Sequence, residues 1–213
     1  MIDFSSQING VTQIFGRRLI FKDINYSFAP GCIYGISGKN GSGKSTLSKI
    51  ILGLISPTRG KVIHKSEGKE IIPEKLHDHI GFVSPYLFLY DEFTAWENIL
   101  FFQKIRGIEP DIEKSKFLFE QFGIYDRRND LLKGYSSGMK QRIKFIFALI
   151  HSPGLLLFDE PTSNLDTAGK DTVYKIIEES GRERIVIIAS NESTDLGLCT
   201  KTLDVEQFKT KEN

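Results

Sequence analysis

Gly38-Lys39-Asn40-Gly41-Ser42-Gly43-Lys44-Ser45-Thr46 places three glycines, two lysines and three hydroxyls directly behind the apolar run Ile33-Tyr34-Gly35-Ile36. The chemistry this order suits is the holding of phosphate. Glycines let successive backbone N–H groups turn inward onto anionic oxygens, a conformation that side chains obstruct. Lys44 adds a compact positive charge for the β- and γ-phosphates, and the Ser45 hydroxyl is a hard oxygen ligand for Mg²⁺. A helix expected over residues 45–54 brings its own unpaired N–H groups and positive dipole end to the same point. A glycine-rich turn that matches by chance is the plainer reading; the strand before and the helix after favour a loop for a nucleoside triphosphate.

A second group of residues lies far downstream. Leu155-Leu156-Leu157-Phe158-Asp159-Glu160-Pro161 is an apolar strand ending in two adjacent carboxylates. Alone, the pair reads as a solvated strand end. With a phosphate loop upstream, Asp159 suits a Mg²⁺ ligand and Glu160 a group that polarises attacking water. Tyr135-Ser136-Ser137-Gly138-Met139-Lys140-Gln141-Arg142 opens a predicted helix over 137–151. Hydroxyls, free N–H groups and the dipole there make an anion site, although a well-capped helix is the favoured reading of this segment alone.

The elements that must position these residues alternate. Short β-like runs (2–8, 24–28, 33–36, 61–64, 80–84) are broken by Pro30-Gly31 and the turn from Pro57 to Gly60. The middle is helical. Thr94 is expected to cap a helix over 95–106, with Glu97 completing a capping box. Pro110 suits the first turn of a helix running to Phe122, and Gly123 its stop. Strands return at 155–158 and 185–189, separated by a helix over about 167–180. Strands alternating with helices predict an α/β fold with a mainly parallel, buried sheet. One domain over 1–213 is expected, with a helical insertion at roughly 86–150.

Composition narrows the class. With 28 basic and 27 acidic residues the net charge is +1, so charge provides no footing for nucleic-acid binding. Cys32 and Cys199 have neither metal nor redox spacing and are expected as small buried residues in a reducing compartment. The start, Met1-Ile2-Asp3-Phe4-Ser5, has no basic segment followed by an apolar core and does not read as a secretory leader. The apolar runs at 143–150 and 154–158 fall far short of the ~20 residues that span a bilayer.

Taken in order, these segments resemble an ATP-binding cassette (ABC) ATPase over essentially the whole chain. Residues 38–46 are similar to the family's first nucleotide motif, and Tyr135–Arg142 to a variant of its signature sequence. Leu155–Glu160 is similar to the second nucleotide motif with its catalytic glutamate, and Ser163-Asn164-Leu165-Asp166 to the loop through which paired subunits communicate. The resemblance implies a P-loop NTPase fold with a mainly parallel central sheet, an N-terminal antiparallel β-subdomain and an inserted helical subdomain. It implies ATP and Mg²⁺, and a head-to-tail dimer with a second ATPase subunit, a homodimer in the simplest case. ATP would lie on Gly38, Lys39, Asn40, Gly41, Ser42, Gly43, Lys44, Ser45 and Thr46 of one subunit. Ser136, Ser137 and Gly138 of the other would cover it. Ser45 and Asp159 would hold the metal, Glu160 and Lys44 would act in catalysis, and Phe15 would stack on adenine.

The resemblance breaks at two functional places. A glutamine is usual after Ile80-Gly81-Phe82-Val83, where this chain has Ser84-Pro85-Tyr86. A histidine facing the γ-phosphate is usual after Ile187-Ile188-Ala189-Ser190, where this chain has Asn191, which donates a hydrogen bond but takes up no proton near neutral pH. Ser137 and Met139 stand where glycine and glutamine are usual. Two readings follow: an ATPase that is slower or differently gated, favoured because Glu160 is retained, or a nucleotide switch that barely turns over. The family also implies an integral membrane permease as partner, with the chain cytoplasmic and peripheral at the inner membrane face. The short ATPases of bacterial exporters, including those of haem or cytochrome maturation, are similar. Tyr86-Leu87-Phe88-Leu89-Tyr90 with Phe93, Trp96, Phe101 and Phe102 is an aromatic-rich segment that reads as a permease cleft or as helical core. A soluble ABC ATPase without a transport role and a small-molecule P-loop kinase are the competing classes; the kinase leaves residues 135–142 and 163–166 without a role.

Overall fold

The computed structural model describes residues 3–209; Met1 and Ile2, where the strand expected over 2–8 begins, and residues 210–213 lie outside the described residues. Two sheets share the work of burial. An antiparallel sheet is built from β1 (Phe4–Phe15), β2 (Arg18–Phe28), β4 (Arg59–Ser66) and β5 (Lys69–Glu70), in the order β2-β1-β4-β5. The second sheet is parallel in every pairing, in the order β6-β7-β8-β3-β9. Its strands are β3 (Cys32–Ser37), β6 (Ile80–Val83), β7 (Leu155–Asp159), β8 (Ile185–Ala189) and β9 (Lys201–Asp204).

Alternation in the parallel sheet explains its two cores. Leu156 and Phe158 of β7, with Val186 and Ile188 of β8, face a core shared with the helices. Their neighbours Leu155, Leu157, Ile185 and Ile187 face a core shared with the antiparallel sheet. Successive side chains of a strand point to opposite faces, so a continuous apolar run is required where both faces are covered.

The helices are α1 (Lys44–Ile51), α2 (Leu76–His79), α3 (Ala95–Ile105), α4 (Ile112–Gln121), α5 (Ser137–Leu149), α6 (Thr167–Gly181) and α7 (Ser193–Leu196). The capping box on α3 forms as predicted, Glu97 N donating to Thr94 Oγ1 at 3.1 Å and Thr94 N to Glu97 Oε2 at 2.8 Å. Three expectations need correction. The helix after Pro110 starts two residues later, because the Asp111 side chain accepts from Lys114 N and caps it. Helix α1 stops at Ile51 rather than Leu54, where Gly53 takes φ 70°. Cys32 and Cys199 are half-buried rather than buried; burial still pushes the Cys199 thiol up to about 12, which leaves it inert.

Candidate nucleotide site

The phosphate loop, the carboxylate pair and Asn191 meet because three strands deliver them to one edge. Loops leaving the carboxyl ends of β3, β7 and β8 carry them, and Asp159, Ala189 and Ile36 stand level across the sheet. Ligands of open parallel sheets bind in the crevice at that edge. A cavity of about 540 Å³ lies there. Of the predicted residues, Phe15, Asn40, Gly41, Gly43, Lys44, Ser45, Thr46, Asp159, Glu160 and Asn191 line it.

Gly43 turns the chain into α1 at φ 112°, and a Cβ there would stand 2.6 Å from Ile20. Only glycine meets both conditions. Lys44 is 6% exposed, and its Nζ donates to the carbonyls of Gly38 at 2.9 Å and Lys39 at 3.4 Å. Gly38 and Lys39 thus hold the amine from behind and face away from the cavity, against Asp204 and Glu206. Ser42 is buried and lines neither face.

Glu160 is the residue whose geometry matters most. By alternation, Asp159 and the next residue should diverge. Glu160 instead takes φ 53°, an uncommon conformation for a side-chain-bearing residue, held by its N–H donating to Ala189 O at 2.9 Å. That turn brings both carboxylates onto one cavity. Strain of this kind concentrates where function requires it. Burial raises the Glu160 carboxyl pKa, Lys44 opposes this, and the nearby charges of Asp159, Asp195 and Glu192 add to it.

Asp159 is 3% exposed and accepts from Ser45 Oγ at 3.3 Å. Burial raises its pKa, against the opposing influences of Ser45, Lys44 and Lys49. A buried carboxylate beside one hydroxyl is a donor set for a hard cation that keeps several ligands from water and phosphate, so the residues fit Mg²⁺. Asn191 reaches the loop directly, its Nδ2 donating to Asn40 Oδ1 at 3.1 Å. Phe15 is 52% exposed, at the end of β1 opposite Arg18.

Sequence reasoning missed several lining residues. Arg18 and Ile20 of β2 join Phe15 through the β1–β2 pairing, a register no motif reports. Pro85 and Tyr86, read as a departure from the family pattern, line the cavity too. Behind the site, buried Asp195 accepts from Thr162 Oγ1, Tyr174 OH and Ser190 Oγ at 2.8–2.9 Å, joining the segments that follow Glu160 and precede Asn191.

Ser136, Ser137 and Gly138 do not reach this cavity. Ser136 caps α5, accepting from Met139 N, and both serines are exposed. The segment packs instead on the loop before α6: Gly138 leaves only 3.0 Å between a built Cβ and Asn164 O, and Arg142 pairs with Asp166 at 3.0 Å. The aromatic segment divides. Trp96 and Phe102 pack on the core, Phe102 against Phe147 at 4.4 Å, whereas Tyr86, Phe88, Tyr90, Phe93 and Phe101 are exposed.

A phosphate loop, a buried strand-end carboxylate and a strained glutamate on one parallel sheet define a P-loop ATPase domain. The family model described as ABC transporter matches residues 21–163, and the chain belongs to that family. It is 32% identical to the ABC transporter ATP-binding protein NatA of Bacillus subtilis (strain 168), over 80% of this chain and 70% of that one. It is 34% identical to the lantibiotic transport ATP-binding protein SrtF of Streptococcus pyogenes, over 87% and 79%. Across such relatives the match covers between 58% and 82% of their own length. A putative ABC transporter ATP-binding protein from Pyrococcus furiosus superposes with a TM-score of 0.82 at 21% identity, over 97% of this chain and all of that one. This protein is accordingly the ATP-binding component of an ABC transporter, an ATPase coupled to transport. Among the described residues, no helix is long and apolar enough to cross a membrane.

Proposed function

We propose that two copies of this chain close head to tail around two Mg²⁺-ATP and drive a separate membrane permease, the 1–213 chain acting as one domain. The observation that carries this reading is the split location of the motifs. Lys44, Ser45, Asp159 and Glu160 share one cavity, while Ser136 and Ser137 at the capped terminus are exposed outside it, free to meet the nucleotide of a second subunit. A contact in which each copy gives and receives the same surfaces closes as a dimer.

Within each site the glycine-loop amides and Lys44 balance the phosphate charge, and Phe15 offers its exposed ring to the base. Ser45 and Asp159 would hold Mg²⁺, which neutralises charge on the phosphate oxygens. Glu160 takes a proton from the water whose oxygen attacks the γ-phosphorus as the bond to the ADP oxygen breaks, leaving ADP and phosphate. Its raised pKa makes it a better acceptor than a solvated carboxylate. Asn191 donates a hydrogen bond at the same wall.

Exposed Tyr86 and Phe88 flank Leu87, which with Leu52, Leu54, Phe82, Phe102 and Phe147 lines a groove of about 200 Å³ that His77, Arg106 and His151 also border. A surface of this chemistry suits a permease segment at the inner membrane face. The lantibiotic transport role in the name of SrtF supports a transporter, with the substrate chosen by the permease. Phosphate release tests the catalytic reading. Glu160→Gln is expected to lower it about 100-fold or more while ATP binding persists and an ATP-dependent dimer accumulates on gel filtration. Equal rates for the two proteins would remove Glu160 from catalysis.

A further inference from the structure

Lys144 sits in the middle of α5 and is 8% exposed, although lysine is almost never buried without a partner. Its Nζ donates to the carbonyls of Ser84 at 3.1 Å and Pro85 at 2.8 Å. Among the described residues no carboxylate lies within 4.0 Å of it. The charge is balanced by carbonyl dipoles alone, and burial lowers the amine's pKa. Holding an ammonium this way costs stability that an apolar side chain would not cost.

What the amine grips is a wall of the nucleotide cavity. Residues 84–87 form a tight turn in which Leu87 N donates to Ser84 O at 3.2 Å and Tyr86 N to Ser84 Oγ at 3.3 Å. Pro85 and Tyr86 of that turn line the cavity. Three residues before Lys144, and so on the same face of α5, Gln141 Nε2 donates to Pro161 O at 3.1 Å, one residue beyond Glu160. One helical face therefore holds both the Pro85–Tyr86 wall and the Glu160 wall. The same helix presents Ser136–Gly138 at its N-terminus.

We infer that Lys144 is a positioning residue: its ammonium clamps the Ser84–Pro85 carbonyls to α5, setting the Pro85–Tyr86 wall in register with Glu160. The turn carries no amide or acid side chain at 84–86, so the lysine supplies from the helix the anchorage that the loop itself lacks. This rests on the ATPase reading for its kinetic arm but not for its structural arm.

The test compares wild type with Lys144→Met, of similar length without charge, and Lys144→Arg, which keeps the donors. In Lys144→Met, kcat for phosphate release is expected to fall about tenfold while KM for ATP stays within about threefold, as for a misaligned rather than an emptied site. Hydrogen exchange at the Tyr86 and Leu87 amides is expected to quicken about tenfold, with the amides of residues 41–46 unchanged. Lys144→Arg is expected to recover most of both. Unchanged exchange at 86–87, a kcat within about twofold of wild type, or an Arg variant as impaired as Met overturns the proposal. Should Lys144→Met fail to fold, Lys144→Leu, apolar and without a donor, makes the same comparison. A wild type that releases no phosphate refutes the ATPase reading alone, and the exchange data still decide the role of Lys144.

Discussion

Asp195→Ala should loosen the active site from behind. Asp195 is 1% exposed, has no cation within 4.0 Å among the described residues, and is held only by hydroxyls. Thr162 Oγ1 donates at 2.9 Å, Ser190 Oγ at 2.8 Å and Tyr174 OH at 2.9 Å. Thr162 and Ser190 are themselves buried, so deleting the acceptor strands two donors at about 1–3 kcal/mol each, while Tyr174, partly exposed, finds water. Relief of the buried charge offsets part of this. The expected net loss is about 3 kcal/mol, or about 6–12 °C in Tm for a chain of this size. Thr162 lies two residues after Glu160, and Ser190 immediately precedes Asn191. Phosphate release should therefore fall further than ATP affinity. Urea unfolding of wild type, Asp195→Ala and Asp195→Asn measures the first effect, and the Asn variant, keeping one acceptor oxygen, should fall between. A loss below about 1 kcal/mol in Asp195→Ala would refute the argument that this carboxylate organises the hydroxyls.

Gly81→Ala should destabilise the protein by about 3 kcal/mol in urea titration, because its Cβ would stand 2.2 Å from Ala148 O, where β6 meets α5; an unmoved midpoint contradicts the close packing. Stability should also fall with acid. His64 and His151 are held neutral by burial, each depressed to about 4, with Nε2 facing the carbonyls of Ile51 and Ile80. Because the unfolded chain takes up protons first, near 6.5, stability is complete above that pH and is lost as pH falls toward about 4, by about 3 kcal/mol per histidine. His64→Gln should flatten this limb in unfolding measured from pH 7 to 4; an identical slope overturns the assignment. Asn191→His should raise turnover with ATP affinity within about twofold of wild type, and a drop would show that the Asn191–Asn40 pair is integral to this site.

How far the sequence carried the reading varied with how local each signal was. The Thr94–Glu97 box depends on neighbours a few residues away and formed as read; the loop at 38–46 likewise stands between a strand and a helix, though Gly38, Lys39 and Ser42 do not line the cavity. Pro110 misled because a competing local cap, Asp111, lay beside it. The β1–β2 register that puts Arg18 next to Phe15 involves bulges along β1 that no short pattern encodes. Nothing local singles out Lys144, since its partners lie 59 and 60 residues away.

By itself the sequence determined which groups were on hand: amides on a glycine loop, Lys44, a hydroxyl at Ser45, two carboxylates after an apolar strand, and a serine-capped helix. Their chemistry follows from residue type and near neighbours. Tertiary structure decided which of them act together. Ser45 meets Asp159 across 114 residues because parallel pairing sets β7, β8 and β3 side by side and level. Glu160 joins Asp159 only because β8 fixes its N–H in a turn that strand alternation would not produce. The same packing leaves Ser136–Gly138 outside that cavity, since a capped helix end suited to an anion need not lie beside the phosphate loop in space.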